Sequence, residues 1–197
     1  TQDVFDLRVN GNNDGFVEFD YIVDPITNIA NCATLNVPNT IYNLTVNNIS
    51  SEATCFTVTA QNVTLIGNSY TVIYGTTGVI GSKLGIVVRA NNFTVANITL
   101  KTNNTDAVHY AIGVDVSNIT VTVRNANLSA KGDLDSSLFI SRQNVSFFVF
   151  DSFIGKGIDY GIEITQNGSN ATFVNSTFAN NAHRLNGTTS FLYYAWH

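Results

Sequence analysis

Gly85-Ile-Val-Val-Arg-Ala-Asn-Asn92-Phe-Thr, Ile112-Gly-Val-Asp-Val-Ser-Asn118-Ile-Thr and Leu138-Phe-Ile-Ser-Arg-Gln-Asn144-Val-Ser are three versions of one unit. Each has an alternating apolar run, then an asparagine, then a second run of β-branched and aromatic residues. Cys55-Phe-Thr-Val-Thr-Ala-Gln-Asn62-Val-Thr opens the series and Ile162-Glu-Ile-Thr-Gln-Asn-Gly-Ser-Asn170-Ala-Thr closes it. The asparagines stand at 62, 92, 118, 144 and 170, in steps of 30, 26, 26 and 26.

A unit of roughly 20–50 residues that recurs in this way builds a solenoid, a propeller or an array. The units alternate with period 2 and carry no helical period, which excludes helical solenoids. A propeller blade takes about 40 residues, too many for this step. One turn of a β-helix with two or three short strands fits. The sequence therefore predicts an all-β chain, a right-handed parallel β-helix of about five coils with a period of ~26 residues. Coils stack about 4.8 Å apart. Phe56, Ile86, Ile112, Phe139 and Ile162 are then expected in one buried column, and Val63, Phe93, Ile119, Val145 and Ala171 in a second. The longer first step is assigned to a loop carrying Gly75, Gly78, Gly81 and Gly85.

With these units the chain resembles the parallel β-helix superfamily, which includes pectate-lyase-like enzymes, phage tailspikes and archaeal surface proteins. Cys32-Ala-Thr-Leu, Asn39-Thr-Ile-Tyr-Asn-Leu-Thr and Cys55-Phe-Thr-Val-Thr-Ala-Gln-Asn-Val-Thr-Leu look like repeats of archaeal cell-surface β-helix proteins. The resemblance spans roughly residues 32 to 180 and implies a fold. It does not select among lyases, hydrolases, adhesins and structural proteins.

The helix is placed at 32–180. Residues 1–31 read as an N-terminal β-hairpin or strand extension: Val4-Phe-Asp-Leu-Arg-Val and Phe16-Val-Glu-Phe-Asp-Tyr-Ile-Val flank a polar turn at Asn10–Gly15. Residues 181–197 end in the aromatic segment Phe191-Leu-Tyr-Tyr-Ala-Trp-His197. A β-helix exposes unpaired backbone and core at both ends, so these segments either cap their own chain or join a neighbour. In the second case Val4, Phe5, Leu7, Val9, Phe191, Leu192, Tyr193, Tyr194 and Trp196 form the subunit interface. A head-to-tail contact that does not close then yields a homopolymer.

Hydrophobic residues make up 44% of the chain and charged residues only 12%. Amides and hydroxyls must therefore wet the surface, which suits an extracellular or cell-surface protein. The nine Lys and Arg are scattered and the net charge is −5, so no basic stripe exists to hold nucleic acid. No apolar run is long enough to span a membrane. Met is absent even from position 1, and Thr1 reads as an end left by signal-peptide cleavage. Export permits a disulfide between Cys32 and Cys55, about one coil apart and contributing roughly 3 kcal/mol; two buried thiols are the alternative.

Asn-x-Ser/Thr triplets begin at Asn43, Asn48, Asn97, Asn103, Asn127, Asn167, Asn175 and Asn186, which read as glycosylation sites. Triplets also begin at Asn62, Asn92, Asn118, Asn144 and Asn170. These occupy the repeated corner and read either as an internal side-chain ladder or as glycan carriers. Asparagine tolerates the left-handed backbone that such a corner demands.

Catalytic candidates are sparse. Asp106, Asp133 and Asp159 precede successive strands, with Asp135, Lys131 and Lys156 near. Asp133 and Asp159 are one period apart, where stacked carboxylates would raise a pKa or hold Ca²⁺; solvated loop acids beside lysines are the simpler reading. The three histidines share no repeat position, and no nucleophile or phosphate-loop motif is present. The expectation is a non-enzymatic extracellular structural glycoprotein that self-assembles into a filament or surface layer, with no resident metal or cofactor. The alternative is a carbohydrate-active or glycan-binding β-helix, whether lyase, hydrolase or adhesin, using the acidic face.

Overall fold

Alternating Val, Ile, Phe and Thr runs give strands that bury one face each, and short polar corners turn them back over one another. The computed structural model describes residues 24–77, 82–104, 108–130, 136–155 and 160–179, and the backbone of 183–185 and 190–194. The chain enters through β1 (Ile26–Ile29), β2 (Ala33–Leu35) and β3 (Thr40–Leu44). β4 (Ile49–Ser50), β5 (Phe56–Val58) and the long β6 (Val63–Ile73) follow. Next come β7 (Lys83–Val88), β8 (Phe93–Lys101), β9 (His109–Val114), β10 (Ile119–Arg124) and β11 (Asn127–Leu128). β12 (Ser136–Ile140), β13 (Val145–Phe150), β14 (Phe153–Ile154), β15 (Tyr160–Ile164) and β16 (Asn170–Val174) continue the stack. β17 (Thr177–Phe178), β18 (His183–Leu185) and β19 (Ser190–Tyr194) end it.

Every pairing among these strands is parallel, and the result is a β-solenoid of about five turns with a period near 26 residues. The larger sheet runs β1-β3-β6-β8-β10-β13-β16-β19, with β4, β11, β14 and β17 paired beside that path. The smaller runs β18-β15-β12-β9-β7-β5-β2. β1 lies before residue 32 and β18 and β19 after residue 180, so pairing extends past both ends of the 32–180 span. The N-terminal hairpin expected before Asp24 lies outside the described residues.

The core is stacked in columns. In the smaller sheet Phe56, Ile86, Ile112, Leu138 and Ile162 are register partners and all are fully buried. Leu138 therefore replaces Phe139, the residue expected there. Phe139 faces outward opposite Gly113 and stacks on Tyr110 at 4.1 Å. In the larger sheet the column is Val63, Phe93, Val121, Phe147 and Ala171. Ile119 pairs with Val145 instead, so the expected second column mixed two rows. The third column is Val72, Leu100, Leu128, Ile154 and Phe178, on β6, β8, β11, β14 and β17.

The register shows where the extra residues of the long first step sit. The step from β6 to β8 falls from 30 at Ile66↔Ala96 to 28 at Tyr70↔Ile98, a bulge of two residues. Gly67 sits in it because a Cβ there would meet Ile98 Cβ at 2.5 Å. A further two enter between Ile73↔Lys101 and Lys83↔His109. The glycine loop therefore holds half of the excess rather than all of it.

Cys32 and Cys55 form the disulfide, with a Cα–Cα distance of 4.6 Å. They stand just before the paired residues Ala33 and Phe56, so the bond ties the first turn to the second. The bridge closes a 23-residue separation.

Candidate functional site

Each coil turns twice through left-handed backbone, and the two corners hold most of the chemistry on the surface. The first corner carries Asn39, Asn62, Asn92, Asn118 and Asn144, with φ between 54° and 61°. Their side chains bond along the stack. Asn62 Nδ2 donates to Asn39 Oδ1 at 2.7 Å and Asn92 Nδ2 to Asn62 Oδ1 at 2.9 Å. Asn144 Nδ2 donates to Asn118 Oδ1 at 3.1 Å. The series breaks between Asn92 and Asn118, where the register step grows from 26 at Val88↔Val114 to 28 at Phe93↔Val121. Two extra residues there pull the rungs apart, and Asn91 Oδ1 accepts from the Thr120 amide instead, at 2.8 Å.

Asn170 does not occupy this corner. Gly168 does, with φ of 76°, and a Cβ on it would meet Asn144 Oδ1 at 2.5 Å. Asn170 lies two residues on, half-buried in β16 and paired with Ser146 and Ser190. The Asn-Gly turn takes the left-handed position because glycine meets no steric penalty there.

The second corner was not anticipated. Asn97, Asn125, Asp151 and Asn175 all have positive φ and follow one another at 28, 26 and 24 residues. Asn97 and Asn175, both glycosylation candidates above, thus share a repeat position. A single bond joins this column, Asn175 Nδ2 to Asp151 Oδ1 at 2.6 Å. Behind it, buried serines close the backbone: Ser152 Oγ accepts from the Ala126 amide at 3.1 Å and Ser176 Oγ from the Ser152 amide at 3.3 Å. In front lies an open groove of about 290 Å³, lined by Ser69, Asn97, Thr99, Asn125, Asp151 and Phe153, among others. Asn127 also lines it, and Phe153, at 40%, is one of the few large apolar side chains exposed among the described residues.

Among the described residues, ion pairs cluster before the first corner. Asp115 bridges Arg89 Nε at 3.1 Å and an Arg142 terminal nitrogen at 2.7 Å, joining three successive coils. These half-exposed groups make a surface network of modest stabilising value. Glu163 is buried and accepts from Ser136 Oγ at 3.3 Å. Asp106, Asp133 and Asp159 lie outside the described residues, with Asp135, Lys131 and Lys156. Among the described residues no three His, Cys, Asp or Glu side chains are grouped to hold a metal.

Among the glycosylation candidates, Asn48, Asn97, Asn103, Asn127, Asn167 and Asn175 are exposed, and Asn43 is half-buried. Asn43 Nδ2 donates to Asn28 Oδ1 at 2.9 Å. Asn186 lies outside the described residues. Of the proposed interface, Val4, Phe5, Leu7, Val9 and Trp196 also lie outside them. The backbone of Phe191–Tyr194 forms part of β19, which stacks on β16 as the last strand of the larger sheet. No described helix is long and apolar enough to cross a membrane. Comparison with family models, with curated proteins and with solved structures found no match.

Proposed function

We propose that this chain is an extracellular structural glycoprotein, similar in kind to archaeal cell-surface β-helix proteins, whose solenoids join head-to-tail into a filament or surface layer. It acts mechanically and not as an enzyme. Stacked strands resist unfolding, the ends join copies, and glycans shield the sides.

The first turn supports this reading. Three of the four large apolar side chains exposed among the described residues, Ile26, Val37 and Val46, lie within it. Both sheets also end there in strands, β1 and β2, paired on one side only among the described residues. At the other end β18 and β19 are likewise last in their sheets. Edge strands at opposite ends of a parallel stack, with an apolar rim at the first, suit addition of the next copy in the same direction.

Negative-stain microscopy of the native protein tests this, beside variants lacking residues 1–12 or the last seven. Filaments or sheets that disappear on truncation are expected. Uniform monomers in every sample would overturn the assembly. They would also direct attention to the competing carbohydrate-binding or carbohydrate-cleaving reading built on Asp106, Asp133 and Asp159.

A further inference from the structure

We propose that the N-linked glycans of this protein are carried by Asn48, Asn97 and Asn127, that Phe153 is the apolar floor under the first sugar on Asn127, and that the first-corner asparagines stay unmodified. This rests on the glycoprotein reading above and assigns its sites.

N-glycosylation joins Asn Nδ2 to the anomeric carbon of a sugar activated on a lipid diphosphate. The C1–O bond breaks, the diphosphate leaves with the electron pair, and Nδ2 gives up one proton. An asparagine is therefore a good acceptor when Nδ2 is exposed and makes no bond that the fold needs. The Asn-x-Ser/Thr triplets divide sharply by this criterion. Asn62, Asn92 and Asn144 donate from Nδ2 within the first-corner ladder. Asn43 donates to Asn28, and Asn175 to Asp151. Asn118 takes the acceptor side of a rung through Oδ1 and belongs with the ladder. At Asn167 the obstacle is the hydroxyl: Ser169 is 1% exposed, and its Oγ accepts from the Val145 amide and donates to the Arg142 carbonyl. Asn170 is half-buried in mid-sheet.

Asn103 is exposed, but the threonine that completes its triplet lies outside the described residues, and so does Asn186. Of the triplets described whole, Asn48, Asn97 and Asn127 remain. Each is exposed, and among the described residues none of the three donates a hydrogen bond from Nδ2. Asn97 and Asn127 open on the same groove beside Asn125 and Asp151. Asn127 and Phe153 are register partners in β11 and β14, one rung apart with side chains on the same side. A pyranose has an apolar C–H face and a polar edge. Seated on Asn127, it would lay that face over the Phe153 ring and turn its hydroxyls toward the amides and carboxylate of the groove. An exposed phenylalanine at that position is then accounted for.

A transferase meeting the folded chain finds the ladder amides engaged. One that acts before folding would place a sugar where a rung must close. Both routes disfavour the first corner.

Glycopeptide mass spectrometry on protein purified from its native source is the test. Expected are sugar masses on peptides containing Asn48, Asn97 and Asn127, and none on those containing Asn62, Asn92 or Asn144. Glycans on the ladder peptides would overturn this assignment and leave the glycoprotein reading intact. No glycan on any peptide would overturn both. For the floor, the thermal midpoint is compared before and after enzymatic removal of the glycans, in wild type and in Phe153→Ala. The drop on removal should be smaller in the variant, and an equal drop in both proteins would overturn the role of Phe153.

Discussion

The two corners make the same demand on the backbone and answer it differently. At both, left-handed residues turn the chain, one per coil except in the β6 bulge, where Asn68 and Ser69 both do so, and at both asparagine is the usual choice. At the first, side chains turn along the stack and bond to each other, so the corner becomes part of the scaffold. At the second, serine hydroxyls behind the turn close the backbone; Asn68 and Asn175 still bond to the neighbouring coil, but the side chains of Asn97 and Asn125 are left to the solvent and the groove. A sequence motif at a corner therefore says little about use until the neighbouring hydrogen bonds are known. Asn62-Val-Thr and Asn97-Ile-Thr are alike as triplets, yet one is structural and the other available.

That contrast presupposes the stacking register, and the largest expected effect tests the register itself. Leu138 lies in the buried column, so Leu138→Ala should cost about 2–5 kcal/mol. Phe139 packs outward on Tyr110, so Phe139→Ala should cost about 0.5–1.5 kcal/mol. Urea midpoints of the two variants provide the comparison. A larger loss at Phe139 than at Leu138 would mean that β12 is slipped by one residue and that the corners of adjoining coils do not align as described.

Gly168 sharpens the first corner. It is the rung without a side chain, and Cβ there would press on Asn144 Oδ1. Gly168→Val combines a left-handed β-branched residue with that contact, and about 1–3 kcal/mol should be lost from the backbone term alone. Amide hydrogen exchange should rise first in β16, which follows Gly168, and in β13, which follows Asn144 in the coil against it. Unchanged exchange there would show that the corner tolerates a side chain and that glycine is not required by the stack.

How much of this could be read in advance follows from the repeat. The solenoid, the disulfide and the asparagines at 62, 92, 118 and 144 were legible, because alternation and a near-constant step carry them. The core assignment slipped at Leu138-Phe139-Ile140, where three apolar residues in succession erase the alternation that chooses a face. It slipped again at Val121 and Gly168, because the corner changes length between coils and counting from one asparagine to the next misses the change. The second corner was hidden for a chemical reason. Its members are spaced unevenly, one is Asp151, and Asn125 begins no Ser/Thr triplet, so no single motif marks the column.

The smallest expected effect bears most directly on the difference between the corners. Asn62→Ala and Asn97→Ala both place alanine in left-handed backbone, at a cost of roughly 1–2 kcal/mol each. Glycine removes that penalty, so Asn62→Gly and Asn97→Gly isolate what the side chains themselves contribute. At Asn62 two rungs are lost, one to Asn39 and one from Asn92, each with a net value of about 0.5–1.5 kcal/mol before exposure to water weakens it. At Asn97 no side-chain bond among the described residues is lost, so Asn97→Gly in unglycosylated protein should be close to neutral. A denaturant midpoint lowered by Asn62→Gly and unmoved by Asn97→Gly would make the first corner a scaffold and the second an open surface. Equal shifts would remove the energetic basis for separating them, since both asparagines would then serve only to let the chain turn.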